Sequence, residues 1–352
     1  MNAIEQEVLV AREGSVGHIS LNRPKALNSL TLDMVRRIND ALDALEEDPH
    51  VAAVLMSGEG ERGFCAGGDI RMLYESGRGG SNTAVNFFRE EYRLNARIAR
   101  YPKPFIAIVD GITMGGGVGL SAHGSHRIAT ERTRLAMPET GIGFFPDVGA
   151  TWLLSHAPGE LGTFLGLTGE QIGVADAIVA ELADFFVPSC QLSAVRDALS
   201  ALAADANAEA VGRVIARFAQ TPTEAVMARH RHMIDRAFAF DRVEEILVAL
   251  EEEDGEFAAK TRQTLLAKSP SSLKVTLRLL RQGRESRDLE SCLEREFAAT
   301  AAVLRSHDFY EGVRAAVIDK DRNPKWSPHD LATVDEEAIA HFFASRAERL
   351  FV

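Results

Sequence analysis

Two glycine-rich segments and one acid-bearing segment hold the residues whose types and spacing could do chemistry. The first is Phe64-Cys65-Ala66-Gly67-Gly68-Asp69, and the second is Thr113-Met114-Gly115-Gly116-Gly117. Glycine lets a backbone approach a ligand closely and adopt positive φ. Two such loops can each aim one N–H at the same oxygen, which makes an oxyanion hole. The same residues would also serve as two tight turns. Neither segment fits G-x-G-x-x-G, and neither is followed by the Gly-Lys-Ser/Thr of a P-loop.

The third segment is Met137-Pro138-Glu139-Thr140-Gly141-Ile142-Gly143-Phe144-Phe145-Pro146-Asp147. Its two acids are separated by apolar and glycine residues. A carboxyl group among Met137, Ile142 and Phe144 would be desolvated, which raises its pKa toward the range useful for proton transfer. The alternative is that Glu139 caps a helix and Asp147 sits in a turn after Pro146.

In this order the three segments strongly resemble the crotonase (enoyl-CoA hydratase/isomerase) superfamily. Asn22-Arg23-Pro24-Lys25-Ala26-Leu27-Asn28 adds a fourth family-like motif upstream. Within the superfamily the chain looks most like the 3-hydroxyisobutyryl-CoA hydrolases. Three details carry that likeness: Arg89-Glu90-Glu91-Tyr92, the Phe-Pro-Asp ending at Asp147, and the segment 308–321. The resemblance spans residues 16–326. It implies an α/β fold, a crotonase-like ββα spiral core with a C-terminal helical region.

The resemblance also implies roles. Gly68 and Gly116 would give the two oxyanion N–H groups. The carbonyl of Ala66 would meet the adenine of CoA, and Lys25 would contact the CoA nucleotide. Glu139 would be the principal catalytic carboxylate, Asp147 its partner, and Glu91 would bind a substrate hydroxyl. One departure bears on the reaction. Hydratases of the superfamily carry a glutamate three residues after the second oxyanion glycine, where this chain has Gly119. Glycine cannot transfer a proton. The expected activity is therefore hydrolysis of a small hydroxyacyl-CoA thioester. Enoyl-CoA isomerisation or hydration, and non-catalytic acyl-CoA binding, are the alternatives.

The elements that must position these residues can be read from periodicity. Segments 7–12 and 16–21 read as a hairpin. Thr31 is a plausible N-cap for a helix with Met34, Val35, Ile38, Ala41, Leu42 and Leu45 on one face. A short apolar run at 51–56 suits a strand buried on both sides, 105–109 reads as another buried strand, 127–130 reads as a strand, and 57–69 reads as loop. Residues 87–99 look helical. Strand, glycine loop and helix recur, an α/β pattern. Beyond about residue 190, the segments 192–218, 223–240, 243–268, 272–282 and 289–305 read as helices rich in Ala, Leu, Glu and Arg. The division drawn from this change is 1–200, the core with the site, and 201–352, a helical extension.

Composition excludes several classes. The 352 residues are 46% hydrophobic and 26% charged, which is ordinary for a globular enzyme and wrong for a disordered or fibrous chain. Thirty-nine basic residues against 51 acidic ones leave a net charge of -12, which argues against a duplex nucleic-acid surface. An acidic protein can still bind an anion at a local site. The three cysteines have no metal spacing and make an odd count, so no disulfide framework is expected and the chain reads as one from a reducing, cytoplasmic setting. The most apolar stretch, 104–120, is broken by Asp110 and glycines, so no membrane span is expected. No metal and no resident cofactor are expected, since CoA would arrive with the substrate. His230-Arg231-His232 is a weak metal signal, and Arg278, Arg281, Arg284 and Arg287 read as one solvated helical face. The resemblance implies a homo-oligomer, a trimer or a pair of trimers, unless the long helical tail covers that surface.

Overall fold

Gly14 adopts positive φ between two antiparallel strands, β1 (Val8–Glu13) and β2 (Val16–Leu21), which form the expected hairpin. The computed structural model describes residues 6–223, 225–344 and 349–351. β2 pairs in parallel with β3 (Ala53–Gly58), because a helix, Leu32–Glu47, carries the chain back between them. Thr31 caps that helix, its side chain accepting from the Met34 N–H, and the six predicted apolar residues are all buried.

The short strands β4 (Gly63–Cys65), β5 (Phe105–Val109), β6 (Ile112–Met114), β7 (His126–Ala129), β8 (Arg134–Ala136) and β9 (Phe185–Phe186) complete two sheets. The larger runs in the order β1-β2-β3-β5-β7-β9, and all pairings after the first are parallel. The smaller runs β4-β6-β8. Segment 57–69, expected to be loop, thus contains a strand. Three residues are too few to show an alternating pattern.

The chain forms two compact units, each of three segments. One comprises Met1–Gly68, Leu94–Leu135 and Ile172–Glu224. The other comprises Asp69–Arg93, Ala136–Gln171 and Ala225–Val352. Compactness therefore divides the chain differently from a single change of composition at residue 200.

In the first unit Val16, Ala53, Leu55, Ile106, Ile108 and Ile128 of the larger sheet share a core with Val195, Leu199, Val211 and Ile215. Those last four lie on helices Leu192–Ser200 and Ala208–Ala216. The single helix expected over 192–218 is thus two, because Asn207 starts the second by capping the Ala210 N–H.

The second unit is helical. The helix expected over 243–268 is also two, Val243–Glu252 and Glu256–Leu266, with Gly255 at φ 113 between them. The helix expected over 223–240 appears as Val226–Arg229 and Arg231–Ala237, broken at His230; residue 224 lies outside the described residues. Ser269 caps and Pro270 opens Pro270–Arg284, and Asp288 caps Leu289–Val303. Helix Ile70–Arg78, capped by Asp69, has no counterpart in the sequence reading, and Thr83–Ala99 begins one turn earlier than expected.

Candidate active site

Both glycine loops belong to the first unit, where they touch. Gly115 takes φ 50 and ψ -120, a conformation that a side chain would strain, and Gly116 opens the short helix Gly116–Ala122. An N–H in the first turn of a helix has no carbonyl one turn back to bond. Gly67 has φ 95, and a Cβ there would lie 3.0 Å from the Met114 carbonyl oxygen and 3.3 Å from the Gly116 nitrogen. These glycines are demanded by close backbone approach, which is more than a tight turn requires.

The upstream motif fixes the first loop. Leu27 and Asn28 both take positive φ, and the buried Asn28 side chain bonds three backbone groups. Its Nδ2 donates to the carbonyls of Glu59 (3.0 Å) and Gly63 (3.1 Å), and its Oδ1 accepts from the Arg23 N–H at 2.8 Å. The Ala66 N–H donates to the Leu27 carbonyl at 3.0 Å, and the Leu30 N–H to the Gly67 carbonyl at 2.8 Å. The half-buried Ala66 and Gly68 are thereby held in place. Lys25 is exposed on the turn Pro24–Ala26.

The three predicted acids belong to the second unit and are buried there: Glu91 is 2% exposed, Asp147 5% and Glu139 7%. Glu91 lies on Thr83–Ala99, Glu139 opens the 3-10 turn Glu139–Ile142, and Asp147 precedes helix Ala150–His156. Aromatic residues adjacent to them in the chain pack on one another. Phe144 stacks on Phe88 (5.5 Å between centroids) and on Phe145 (4.7 Å), while Tyr92 meets Phe88 and Phe297 edge-on.

Desolvation by burial is the main cause of the acids' behaviour. Burial, then the Asp147 and Glu139 charges, push Glu91 well above the usual carboxyl range. Burial and the Asp147 charge do the same to Glu139, opposed in part by Lys268. Burial raises Asp147 to about 7, though a hydrogen bond from Tyr92 pulls the other way. Glu91 Oε1 and Glu139 Oε2 have no hydrogen-bond partner among the described residues. Buried polar atoms are rarely left so without a role.

Three residues of this site were missed from the sequence. Tyr92 donates to Asp147 Oδ2 at 2.6 Å and lies 3.0 Å from Thr300 Oγ1. Glu296 accepts from the N–H groups of Gly149 (2.7 Å) and Thr151 (3.0 Å) and from the Thr151 hydroxyl (2.5 Å). Burial raises Glu296 to about 8 despite these donors. The available signal was an acid on the apolar stripe of Leu289–Val303, between Leu293 and Phe297.

Other arrangements do not compete. Ser57, His18 and Glu13 have the spacing of a hydrolytic triad, at 2.8 Å and 3.2 Å, but Ser57 shares the His18 Nε2 with its cross-strand neighbour Ser20, at 3.2 Å, which accounts for the array by packing within the larger sheet. His230 stacks flat on Phe257 at 3.9 Å, which accounts for that histidine by packing. The arginine run is largely committed to the second unit: Arg281 and Arg284 both pair with Glu160, and Arg278 lies over the Phe343 ring. Among the described residues no group of His, Cys, Asp or Glu is arranged to hold a metal ion, and no helix is long and apolar enough to cross a membrane.

Comparison with known proteins agrees with this geometry. Residues 16–343 match the family described as enoyl-CoA hydratase/isomerase. The chain is 43% identical to a zebrafish (Danio rerio) protein named 3-hydroxyisobutyryl-CoA hydrolase, mitochondrial, over 97% of this chain and 91% of that one. It is 42% identical to the human (Homo sapiens) protein of the same name, over 97% and 89%. A solved structure titled a carnitinyl-CoA dehydratase from Mycobacterium thermoresistibile superposes with TM-score 0.93 at 44% identity, covering 98% of both chains. One titled an enoyl-CoA hydratase from Rhodobacter sphaeroides superposes with TM-score 0.89 at 40% identity, covering 96% of this chain and 97% of that one. Motifs, fold and near-full-length relatives thus converge, and the chain belongs to the enoyl-CoA hydratase/isomerase family, with the crotonase fold.

Proposed function

We propose that this protein hydrolyses a small hydroxyacyl-CoA thioester, 3-hydroxyisobutyryl-CoA, to 3-hydroxyisobutyrate and CoA. The carrying observation is the buried pair Glu139 and Asp147 in a chain that has glycine at position 119. The acid pair needed to add water across a double bond is incomplete, and the second acid stands elsewhere in the sequence. The named hydrolases among the relatives support the same reading.

In this mechanism the Gly68 and Gly116 N–H groups receive the thioester oxygen as the carbonyl carbon becomes tetrahedral. One such fixed donor is worth about 3–4 kcal/mol. Glu139 either takes a proton from the attacking water or attacks the carbonyl itself, forming an anhydride that water opens. Its raised pKa makes it a stronger base, once ionised, than an ordinary carboxylate. Asp147 orients the water or protonates the leaving thiolate. Glu91 binds the substrate hydroxyl, Ala66 offers its carbonyl to the adenine, and exposed Lys25 meets the CoA nucleotide.

The test is incubation with 3-hydroxyisobutyryl-CoA, 3-hydroxypropionyl-CoA and crotonyl-CoA, following free thiol and enoyl absorbance together. Thiol release from the hydroxyacyl thioesters is the expected result. Loss of enoyl absorbance without thiol release overturns it in favour of a second reading, an enoyl-CoA isomerase or hydratase. The titles of the two solved relatives favour that second reading, and a single carboxylate suffices to shuttle a proton between carbons.

Hydrolysis would need no resident cofactor, since CoA arrives as part of the substrate. The reaction fits valine breakdown. A reducing setting suits the three free cysteines. The vertebrate relatives are mitochondrial by name, so cell fractionation must decide between that compartment and the cytoplasm. A homo-oligomer, trimeric or larger, is testable by light scattering.

A further inference from the structure

Among the described residues, the one side chain that donates a hydrogen bond to Asp147 is Tyr92. The phenol is itself fully buried. Thr300 lies on the other side of the phenol oxygen at 3.0 Å, and its hydroxyl also reaches the Glu296 carbonyl at 2.8 Å. Glu296 and Thr300 are four residues apart on one helix, so they share a face. From that face Glu296 grips the N–H groups of Gly149 and Thr151, just after Asp147. One helical turn therefore braces both the phenol that touches Asp147 and the backbone that follows it.

We propose that Tyr92 is a positioning residue: its hydroxyl pins Asp147 Oδ2, so that Oδ1 is the oxygen that exchanges a proton in thioester hydrolysis. The inference rests on the hydrolase reading above. A phenol that has its own hydrogen to give can stabilise the ionised form of Asp147, and burial and the surrounding charges oppose that form. The other titratable groups acting on this site are Glu91 from Thr83–Ala99, Glu139 from its turn and Glu296 from Leu289–Val303, with Lys268 acting on Glu139. These three acids disfavour a further negative charge at Asp147, and the Tyr92 hydroxyl is the larger counterweight there, ahead of a backbone hydrogen bond at Asp147 itself.

The test is Tyr92→Phe in the full chain, assayed for thiol release from 3-hydroxyisobutyryl-CoA across pH. Removing a donor that stabilises only ionised Asp147 can raise the apparent pKa values of the acid cluster but cannot lower them. The acid limb of the kcat profile is expected to move up by about one pH unit, a tenfold change in ionisation constant. KM is expected to stay within about twofold, because Tyr92 does not touch substrate in this reading. Replacing Tyr92 with 3-fluorotyrosine, a stronger donor of nearly the same shape, is expected to move the limb the opposite way. It also keeps the test readable if the phenylalanine variant folds poorly. An unshifted limb in both variants, with or without loss of kcat, overturns the proposal. Absence of thiol release by the unaltered protein overturns the hydrolase reading instead.

Discussion

Gly117 packs so closely on Cys65 that a Cβ on the glycine would stand 2.2 Å from the cysteine's carbonyl oxygen. The two glycine loops are thereby locked to each other through backbone. Gly117→Ala must push them apart. The expected result is a loss of about 1–3 kcal/mol of stability, as for other overpacked sites. Turnover should fall at least about tenfold as the neighbouring Gly116 N–H is displaced. Thermal melts and thiol-release assays on the same preparation check both.

Glu139→Gln keeps the shape of the side chain and removes its capacity to take a proton. Turnover is expected to fall by about 10²–10⁴ with KM changed little. Near-full turnover in this variant would exclude Glu139 both as base and as nucleophile.

Stability should fall as pH rises. Asp147 sits at about 7 in the folded chain against an ordinary 3.8, and Glu296 at about 8 against 4.5. Between those ordinary values and about pH 7–8 the folded chain holds protons that the unfolded chain has released, so raising the pH favours unfolding. Above about pH 8 this contribution is flat. The unfolding free energy should therefore drop between about pH 5 and pH 8, by an amount on the order of a few kcal/mol, and the thermal midpoint should fall with it. A midpoint that rises over this window would show that these carboxyls are not desolvated.

Ser57→Ala separates the buried serine–histidine array from catalysis. Thiol release is expected to persist. Stability is expected to fall by about 1–3 kcal/mol, because His18, whose imidazole burial holds below its usual range, loses a 2.8 Å partner. Abolished turnover in a folded variant would make this array the reactive centre.

Much of the site was legible in the sequence because its requirements are local. Gly67, Gly115 and Gly116 are written as glycine runs, since backbone that must approach backbone admits no side chain. Glu139 and Asp147 stand out as acids among apolar residues. Tyr92 ends the motif Arg89-Glu90-Glu91-Tyr92, but nothing local marks a tyrosine as the partner of an aspartate 55 positions away. Thr300 and Glu296 are farther still, on a helix whose composition looked unremarkable for a helical extension. The breaks at Asn207 and Gly255 are not legible in the sequence because helix-favouring residues on either side outweigh one capping or positive-φ position.

The sequence by itself determined the family, the α/β pattern, the glycine loops and three of the buried acids, Glu91, Glu139 and Asp147. These follow from short-range rules: φ preference, capping, and apolar periodicity. Only the tertiary structure decided which acids share one desolvated setting, which phenol restrains Asp147, and that Asn28 anchors the first loop. Those relations depend on burial and on hydrogen bonds between residues far apart in the chain, and neither is encoded at any single position.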